Sequence, residues 1–187
     1  MKILDTWKKL SSSYLYQSPF GNLRKDKCEL PNGQIIEDYY VNEYDDWVNA
    51  IVLTKEQQIV LVSQYRYSAQ NIFLEIPAGK PEGGESYQEA ILREVQEETG
   101  YSTDREPILL GQFYVNPATQ TNKVFTYLLL DAYHTSGQQL DPTEFIDVHI
   151  YNWNEMGSLI VNGEIQQLFT AHAYYMALSY LKEKPIR

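Results

Sequence analysis

Cysteine is nearly absent from this chain of 187 residues, because Cys28 is the single one and no disulfide can form within the chain. A lone cysteine fits a reducing compartment. Long apolar runs are also missing, and none approaches the roughly 18 residues that a membrane-spanning helix needs. The N-terminal stretch MKILDTWKKLSSSYLY lacks the apolar core of a secretory signal. We therefore expect a cytoplasmic protein with no membrane partner.

Basic residues are scarce as well. Fifteen Lys and Arg stand against 25 Asp and Glu, for a net charge of −10. A protein that binds a nucleic-acid backbone normally shows a basic patch, so we expect no nucleic-acid partner. An acidic chain still binds an acidic small molecule when divalent cations lie between them. The apolar content of 43% predicts a globular fold with a sizeable core.

The hydrophobic pattern predicts strands, a helix, more strands and a final helix. Short strands are expected from about 12 to 44, where Pro31-Asn32-Gly33 is typical of a hairpin turn. Further strands are predicted at 47–54, 59–66, 71–79, 107–116, 123–133 and 145–153, and a last helix at 163–184. We expect an α/β fold with a mixed sheet between helices. A small N-terminal antiparallel β-sheet subdomain would occupy 1–45, and the main domain 46–187.

The stretch 79–101, GKPEGGESYQEAILREVQEETGY, contains a predicted helix with crowded glutamates. Ser86 begins it with a capping box, and Gly100 is a natural stop. Glu94, Glu97 and Glu98 lie on one face, where like charges three or four residues apart destabilise a helix. For the helix alone, two interpretations stay open. The face is either solvated, with a nearby arginine as local partner, or it binds a hard cation through carboxylate oxygens.

The full spacing of this stretch reads G-x5-E-x7-R-E-U-x-E-E-x-G-U, where U is a bulky apolar or aromatic residue. The specified positions are filled by Gly79, Glu85, Arg93, Glu94, Val95, Glu97, Glu98, Gly100 and Tyr101. This pattern resembles the Nudix hydrolase signature without a departure, and so many fixed positions make a chance match improbable. The resemblance implies an α/β/α sandwich that hydrolyses a nucleoside diphosphate linked to another group.

The resemblance also implies roles for the residues of the signature. The implied metal ligands, for Mg²⁺ or Mn²⁺, are Glu94, Glu97, Glu98 and the Ala78 carbonyl. Glu97 and Arg93 belong to the implied catalytic set, where Arg93 orients a carboxylate through its fork of donors. Gly79, an implied substrate-binding residue, would let the backbone approach the site, and Glu85 would support the loop or a metal-bound water.

The flanks resemble the branch of ADP-ribose pyrophosphatases and nucleoside diphosphate sugar hydrolases. In QYRYSAQNIFLEIPAGKPEGGES, Arg66 would grip the diphosphate and Glu75 would lie in the substrate pocket. The alternative for Arg66 is an ion pair at a strand end. Pro117 lies sixteen residues after Tyr101, as in ADP-ribose enzymes. The following positions depart from that branch, with Ala118 in place of Gly and Asn122 in place of Glu, which leaves other nucleoside diphosphate sugars open.

A general base is expected outside the signature, on a loop before the last strand. Asp141, Glu144 and Asp147 are the candidates, and the family pattern favours Glu144. The alternative for Glu144 is an exposed loop carboxylate without a catalytic role.

Aromatic residues near the N-terminus are the remaining candidates for substrate contact. The resemblance to this branch implies that aromatics of the N-terminal sheet stack on the base, with Tyr40 as the predicted contact and Phe20, Tyr39 and Trp47 as further candidates. Interface core is the alternative for any of these rings. Because a small sheet is marginal alone, we expect a homodimer.

The two rival functions are a catalytically silent Nudix domain that senses ligands and a nucleoside triphosphate pyrophosphohydrolase.

Overall fold

The computed structural model describes residues 5–184, so the outer ends of the two predicted domains, 1–4 and 185–187, lie outside the described residues. The chain divides into two compact units. The first contains the described residues up to Asp46 together with Phe113–Lys123. The second contains Trp47–Gln112 and the described residues from Val124 onward.

The first unit contains a three-stranded antiparallel sheet with the order β1-β2-β3. The strands are β1 (Lys8–Ser18), β2 (Gly21–Glu29) and β3 (Ile35–Glu43), so the strand region begins four residues before the predicted start at Ser12. Pro31-Asn32-Gly33 lies between β2 and β3, as predicted. Gly33 has a φ of 82°, a conformation that glycine adopts without steric cost.

The segment Phe113–Lys123 belongs to the first unit although it lies far along the chain. Its backbone bonds to β3: the Asn42 N–H donates to the Thr119 carbonyl at 2.8 Å, and the Thr121 N–H donates to the Asn42 carbonyl at 3.2 Å. Pro117 therefore lies in a turn whose following residues are hydrogen-bonded to this sheet.

The second unit is built on a mixed sheet with the central order β11-β5-β4-β10-β8. Strands β6 and β7 pair with β5 and β4, and β9 pairs with β10. The pair β4–β10 is parallel, while β5 is antiparallel to β4, β6 and β11. The remaining elements have the following bounds: β4 (Trp47–Thr54), β5 (Gln58–Arg66), β6 (Asn71–Glu75), β7 (Ala78–Gly79), α1 (Tyr87–Thr99), β8 (Tyr101–Ser102), β9 (Ile108–Tyr114), β10 (Lys123–His134), β11 (Ile146–Asn152), a 3₁₀ turn (Trp153–Glu155), α2 (Met156–Val161) and α3 (Leu168–Glu183).

Helices cover both faces of this sheet. Because side chains alternate along a strand, β4 presents Val48, Ala50 and Val52 to one core and Ile51 and Leu53 to the other. The first core contains Ala90, Ile91 and Val95 of α1, and the second contains Met156, Leu159, Ala173, Tyr174 and Ala177 of α2 and α3. The predicted α/β/α sandwich is confirmed. Among the described residues, no helix combines the length and apolar character needed to cross a membrane.

Two predicted elements were wrong in extent. The strand predicted at 71–79 is interrupted between Glu75 and Ala78, where Pro77 has no N–H to donate to a ladder. The helix predicted at 163–184 begins only at Leu168, where the Gln167 side chain accepts the Thr170 N–H at 2.7 Å. Ile165, expected on that helix, instead donates its N–H to the Leu159 carbonyl and ends the turn after α2, a helix that was not predicted.

Helix α1 has both of the predicted ends. Ser86 accepts the Glu89 N–H, and Glu89 accepts the Ser86 N–H, which completes the capping box. Gly100 has a φ of 72° and donates its N–H to the Gln96 carbonyl at 2.8 Å. The helix therefore ends at Thr99, one residue after Glu98, and Glu98 lies in its last turn.

Gly100→Ala should lower the free energy of unfolding by about 3 kcal/mol, from left-handed backbone strain combined with overpacking. An added Cβ would lie 2.0 Å from the Ser136 carbonyl oxygen, so backbone has to move. Gly163→Ala is a matched control, because Gly163 has a φ of 77° but its Cβ would meet only the Gln166 side chain at 3.9 Å. The control should lose about 1 kcal/mol. Equal losses in urea denaturation would contradict the steric argument.

Candidate active site

Glu98 anchors the glutamate face of α1 to the sheet. Its Oε2 accepts the Ala78 N–H at 3.1 Å, and its side chain is buried. Burial raises the pKa of Glu98 to about 8, and the negative charges of Glu94 and Glu144 act in the same direction. Without a nearby cation this carboxyl group is mostly protonated at pH 7. A divalent cation beside it would favour the carboxylate form.

Gly79 allows the backbone to pass close to the second glutamate of the face. A Cβ at this position would lie 2.0 Å from the carboxylate of Glu94, so only glycine leaves that side chain in place. Glu94 accepts the Lys80 N–H at 3.3 Å, and burial raises its pKa. Glu98 and Glu94 thus accept the N–H groups of Ala78 and Lys80, which lie on either side of Gly79.

Arg93 links three glutamates of the signature. Its Nε and Nη2 donate to Glu85 at 2.8 and 3.1 Å, and its Nη1 donates to Glu97 at 2.8 Å and to Glu94 at 3.1 Å. Nη2 also donates to the Lys80 carbonyl at 2.9 Å. These bonds, with that to Glu85 the largest cause, raise the pKa of Arg93. Arg93 therefore bridges Glu85, Glu94 and Glu97 and neutralises part of the acidic face.

The donor set of this region fits a hard divalent cation. Carboxylate oxygens of Glu94 and Glu98 and the backbone of Ala78 meet along one short segment, and oxygen is the ligand that Mg²⁺ prefers. Within residues 5–184, however, no group of three or more His, Cys, Asp or Glu side chains surrounds one point as a metal cluster. Glu94 and Glu97 are ion-paired to Arg93, so a cation bound by these carboxylates would compete with the guanidinium for their oxygens.

Arg66 and Glu75 form a bidentate pair on the neighbouring strands β5 and β6. Arg66 Nε and Nη2 donate to the two Glu75 oxygens at 3.0 and 2.7 Å. The Glu75 side chain is 3% exposed and that of Arg66 is 45% exposed. The bond to Glu75 raises the pKa of Arg66, to which the charges of Glu98 and Glu144 also contribute. The ion pair considered as an alternative for Arg66 thus exists, and it holds the guanidinium at the edge of the cavity described below.

Glu144, the predicted base, lies on the loop before β11, where its carboxylate accepts the Asp141 N–H at 3.1 Å. Its charge influences the pKa values of both Glu98 and Arg66, so it lies within electrostatic reach of both. Asp141 and Asp147 are exposed, whereas Glu144 is half-buried.

A cavity of about 540 Å³ in the second unit borders several predicted residues, namely Arg66, Glu75, Ala78 and Gly79. Its wall includes Phe73 and the edge-to-face pair of Trp47 and Phe169, whose ring centroids are 5.7 Å apart. Trp47 was among the candidate aromatics, but Phe73, Phe169 and the buried Asn49 were not. One signal for Asn49 was present in the sequence, since it is a lone polar residue inside the apolar strand WVNAIVLT.

Tyr40 and Pro117, the other predicted substrate contacts, belong to the first unit. Tyr40 is 49% exposed on β3, and Pro117 is exposed in its turn. At the positions that depart from the ADP-ribose branch, the Ala118 carbonyl accepts a hydrogen bond from the Tyr39 hydroxyl, and Asn122 is buried.

Comparison with known proteins agrees with this fold. The family model of the NUDIX domain matches residues 44–173, and that of the nucleoside diphosphate sugar hydrolase N-terminal domain matches residues 7–42. The fold and the glutamate face therefore define an α/β/α domain of the type that carries a Nudix signature. The chain belongs to the Nudix family.

Individual relatives cover most of the chain. An ADP-ribose pyrophosphatase of Bacillus subtilis (strain 168) is 29% identical over 185 residues, which span 98% of this chain and 96% of that protein. A methanol dehydrogenase activator of Bacillus methanolicus is 33% identical over 144 residues, which span 75% of this chain and 76% of that protein. The crystal structure of an ADP compounds hydrolase has a TM-score of 0.85 and covers 99% of both chains; at 18% identity it shows the shared fold.

Proposed function

We propose that this chain hydrolyses the diphosphate bond of ADP-ribose or a related nucleoside diphosphate sugar, releasing a nucleoside monophosphate and a sugar phosphate. The carrying observation is that Glu98 and Glu94 accept backbone N–H groups of the segment Ala78–Lys80, while Ala78, Gly79 and the Arg66–Glu75 pair border one cavity. The similarity to an ADP-ribose pyrophosphatase over nearly the whole chain supports the substrate class.

The reaction would depend on Mg²⁺ or Mn²⁺, held by Glu94, Glu97, Glu98 and the Ala78 carbonyl. When bound, such ions neutralise the diphosphate and lower the pKa of a coordinated water. The separate task of Arg93 is to hold Glu85 and Glu97 by its fork of donors, so that these side chains keep their orientation. Glu98 keeps its position through the Ala78 N–H.

The remaining steps fall to Arg66 and Glu144. Arg66 is fixed by Glu75 through Nε and Nη2, which leaves Nη1 to donate to a diphosphate oxygen. Glu144 would accept the proton of the attacking water, a role that requires its ionised form. The oxygen of that water forms the new bond to phosphorus as the bond to the bridging oxygen breaks, and the bridging oxygen leaves on the other product.

A substrate panel tests this function. The purified chain is incubated with MgCl₂ and ADP-ribose, ADP-glucose, GDP-mannose, UDP-glucose or deoxynucleoside triphosphates, and monophosphate release is scored. ADP-ribose or a nucleoside diphosphate sugar should be turned over first. Preferred turnover of triphosphates would favour the pyrophosphohydrolase instead. Binding without any turnover would favour the ligand-sensing domain.

We also propose a homodimer that forms through the sheet of the first unit. Strand β1 is an edge strand and exposes large apolar side chains along its length, including Leu10, Tyr14, Leu15 and Tyr16. Exposed apolar groups beside an unpaired edge support an interface with a second copy. Light scattering after gel filtration should give twice the chain mass of 21.8 kDa. A mass of one chain at micromolar concentration would contradict the dimer.

The cytoplasmic location stays a prediction.

A further inference from the structure

Two buried polar side chains on neighbouring strands of the second unit each have an oxygen atom without a hydrogen-bond partner among residues 5–184. Asn49 on β4 is 2% exposed and Thr126 on β10 is fully buried. Within the described part of the chain, neither the Asn49 Oδ1 nor the Thr126 Oγ1 has a partner. Buried polar groups are nearly always satisfied, because leaving one unpaired costs free energy. This pair therefore requires an explanation.

The register of the strands brings the two side chains together. Thr126 is the direct partner of Asn49 in the parallel pair β4–β10. Both point to the same face as Ile51 and Leu128, which are two residues further along their strands and belong to one core. Neighbouring strands lie about 4.8 Å apart. A half-turn of the Asn49 amide, which exchanges its oxygen and nitrogen, would let its NH₂ group donate to the Thr126 hydroxyl.

The position of Asn49 relative to the predicted reaction centre limits what it can contact. On the other side of β4, its register partner is Ala78, whose carbonyl is a predicted metal ligand. Asn49 also borders the cavity whose wall contains Trp47, Phe73 and Phe169. If the diphosphate binds beside Ala78 as proposed, the part of a nucleoside diphosphate sugar about one strand spacing away would be a sugar attached to the phosphate. A sugar offers hydroxyl donors and apolar C–H faces, which match an amide acceptor beside aromatic rings.

We infer that Asn49, held by Thr126, accepts a hydrogen bond from a hydroxyl of the sugar attached to the diphosphate, and so determines specificity for that hydroxyl. The inference rests on the proposed function and deepens it. Each half of a nucleoside diphosphate sugar carries such a sugar, the ribose of the nucleoside or the distal sugar. The bound hydroxyl would keep the amide oxygen toward the cavity and its NH₂ group toward Thr126, so both buried groups gain a partner.

The test compares ADP-ribose with its monodeoxy analogues, each lacking one hydroxyl of either ribose. With the wild-type chain, kcat/KM should be about tenfold or more lower for one analogue than for ADP-ribose. The hydroxyl missing from that analogue leaves the buried Asn49 amide unpaired. Asn49→Leu, of similar volume, should lose activity on ADP-ribose by a similar factor and become indifferent to the same deletion. Thr126→Val should show a smaller loss with the same pattern. The identity of the sensitive analogue tells which sugar lies against Asn49.

Other outcomes overturn the inference. If Asn49 and Thr126 form only a structural pair, Asn49→Leu lowers the thermal midpoint of the ligand-free protein and reduces activity on all analogues equally. If Asn49→Leu leaves the ratios of kcat/KM between the analogues unchanged, Asn49 does not bind the hydroxyl that distinguishes them. Both results still leave ADP-ribose hydrolysis in the wild type. Failure of the proposed function is distinct, because the wild type would then hydrolyse neither ADP-ribose nor any nucleoside diphosphate sugar of the panel.

Discussion

Glu98→Gln should reduce kcat by about a hundredfold or more while leaving the fold intact. The substitution removes a carboxylate ligand, and several kcal/mol of transition-state stabilisation depend on a bound cation, with each 1.36 kcal/mol worth about tenfold. The fold should persist, because a Gln carbonyl oxygen still accepts the Ala78 N–H and the Glu98 carboxyl, with a pKa of about 8, is mostly neutral at pH 7.

Steady-state kinetics across a MgCl₂ titration, together with thermal unfolding, checks this prediction. Glu89→Gln is the matched control on the same helix. Glu89 is exposed and takes part in the capping box, where Gln can replace Glu. The control should keep activity within about twofold, since its cap is preserved. Unchanged kcat for Glu98→Gln at saturating MgCl₂ would refute the ligand role of Glu98.

Arg66→Ala should have the second large effect, with both activity and stability reduced. Loss of a preorganised donor to the diphosphate should lower kcat/KM by about a hundredfold. The free energy of unfolding should fall by about 1–3 kcal/mol, because the Glu75 carboxylate, 3% exposed, loses its partner. The loss is smaller than for a fully buried pair, since the Arg66 side chain is 45% exposed and solvent screens the interaction.

A double variant separates the two effects. Arg66→Ala with Glu75→Gln removes the unpaired buried charge, so urea denaturation should show most of the stability regained. Activity should not return, because the donor to the diphosphate is still missing. Recovery of kcat/KM in the double variant would mean that Arg66 acts only by neutralising Glu75, and the proposed phosphate contact would then be wrong.

Local features of this protein were predictable from the sequence, because they depend on neighbours in the chain. The ends of α1 follow from Ser86, Glu89 and Gly100, since a capping box and a left-handed C-cap involve residues within one helical turn of each other. The shared face of Glu94 and Glu98 follows from the helical repeat alone. The predicted strands and the sandwich were recovered for the same reason, as side-chain alternation already tells which residues are buried.

What only the tertiary structure decided concerns residues distant in sequence. Spacing alone did not determine that Glu75 fixes Arg66, that the segment Phe113–Lys123 joins the N-terminal sheet, or that Asn49 lies between Ala78 and Thr126. The register between strands sets these contacts, and register results from packing of the whole sheet rather than from local preference. The sequence by itself therefore determined the glutamate helix, its two ends and the spacing of its carboxylates. Strand pairing decided which other side chains surround it, because a hydrogen-bonded ladder joins residues without regard to their separation along the chain.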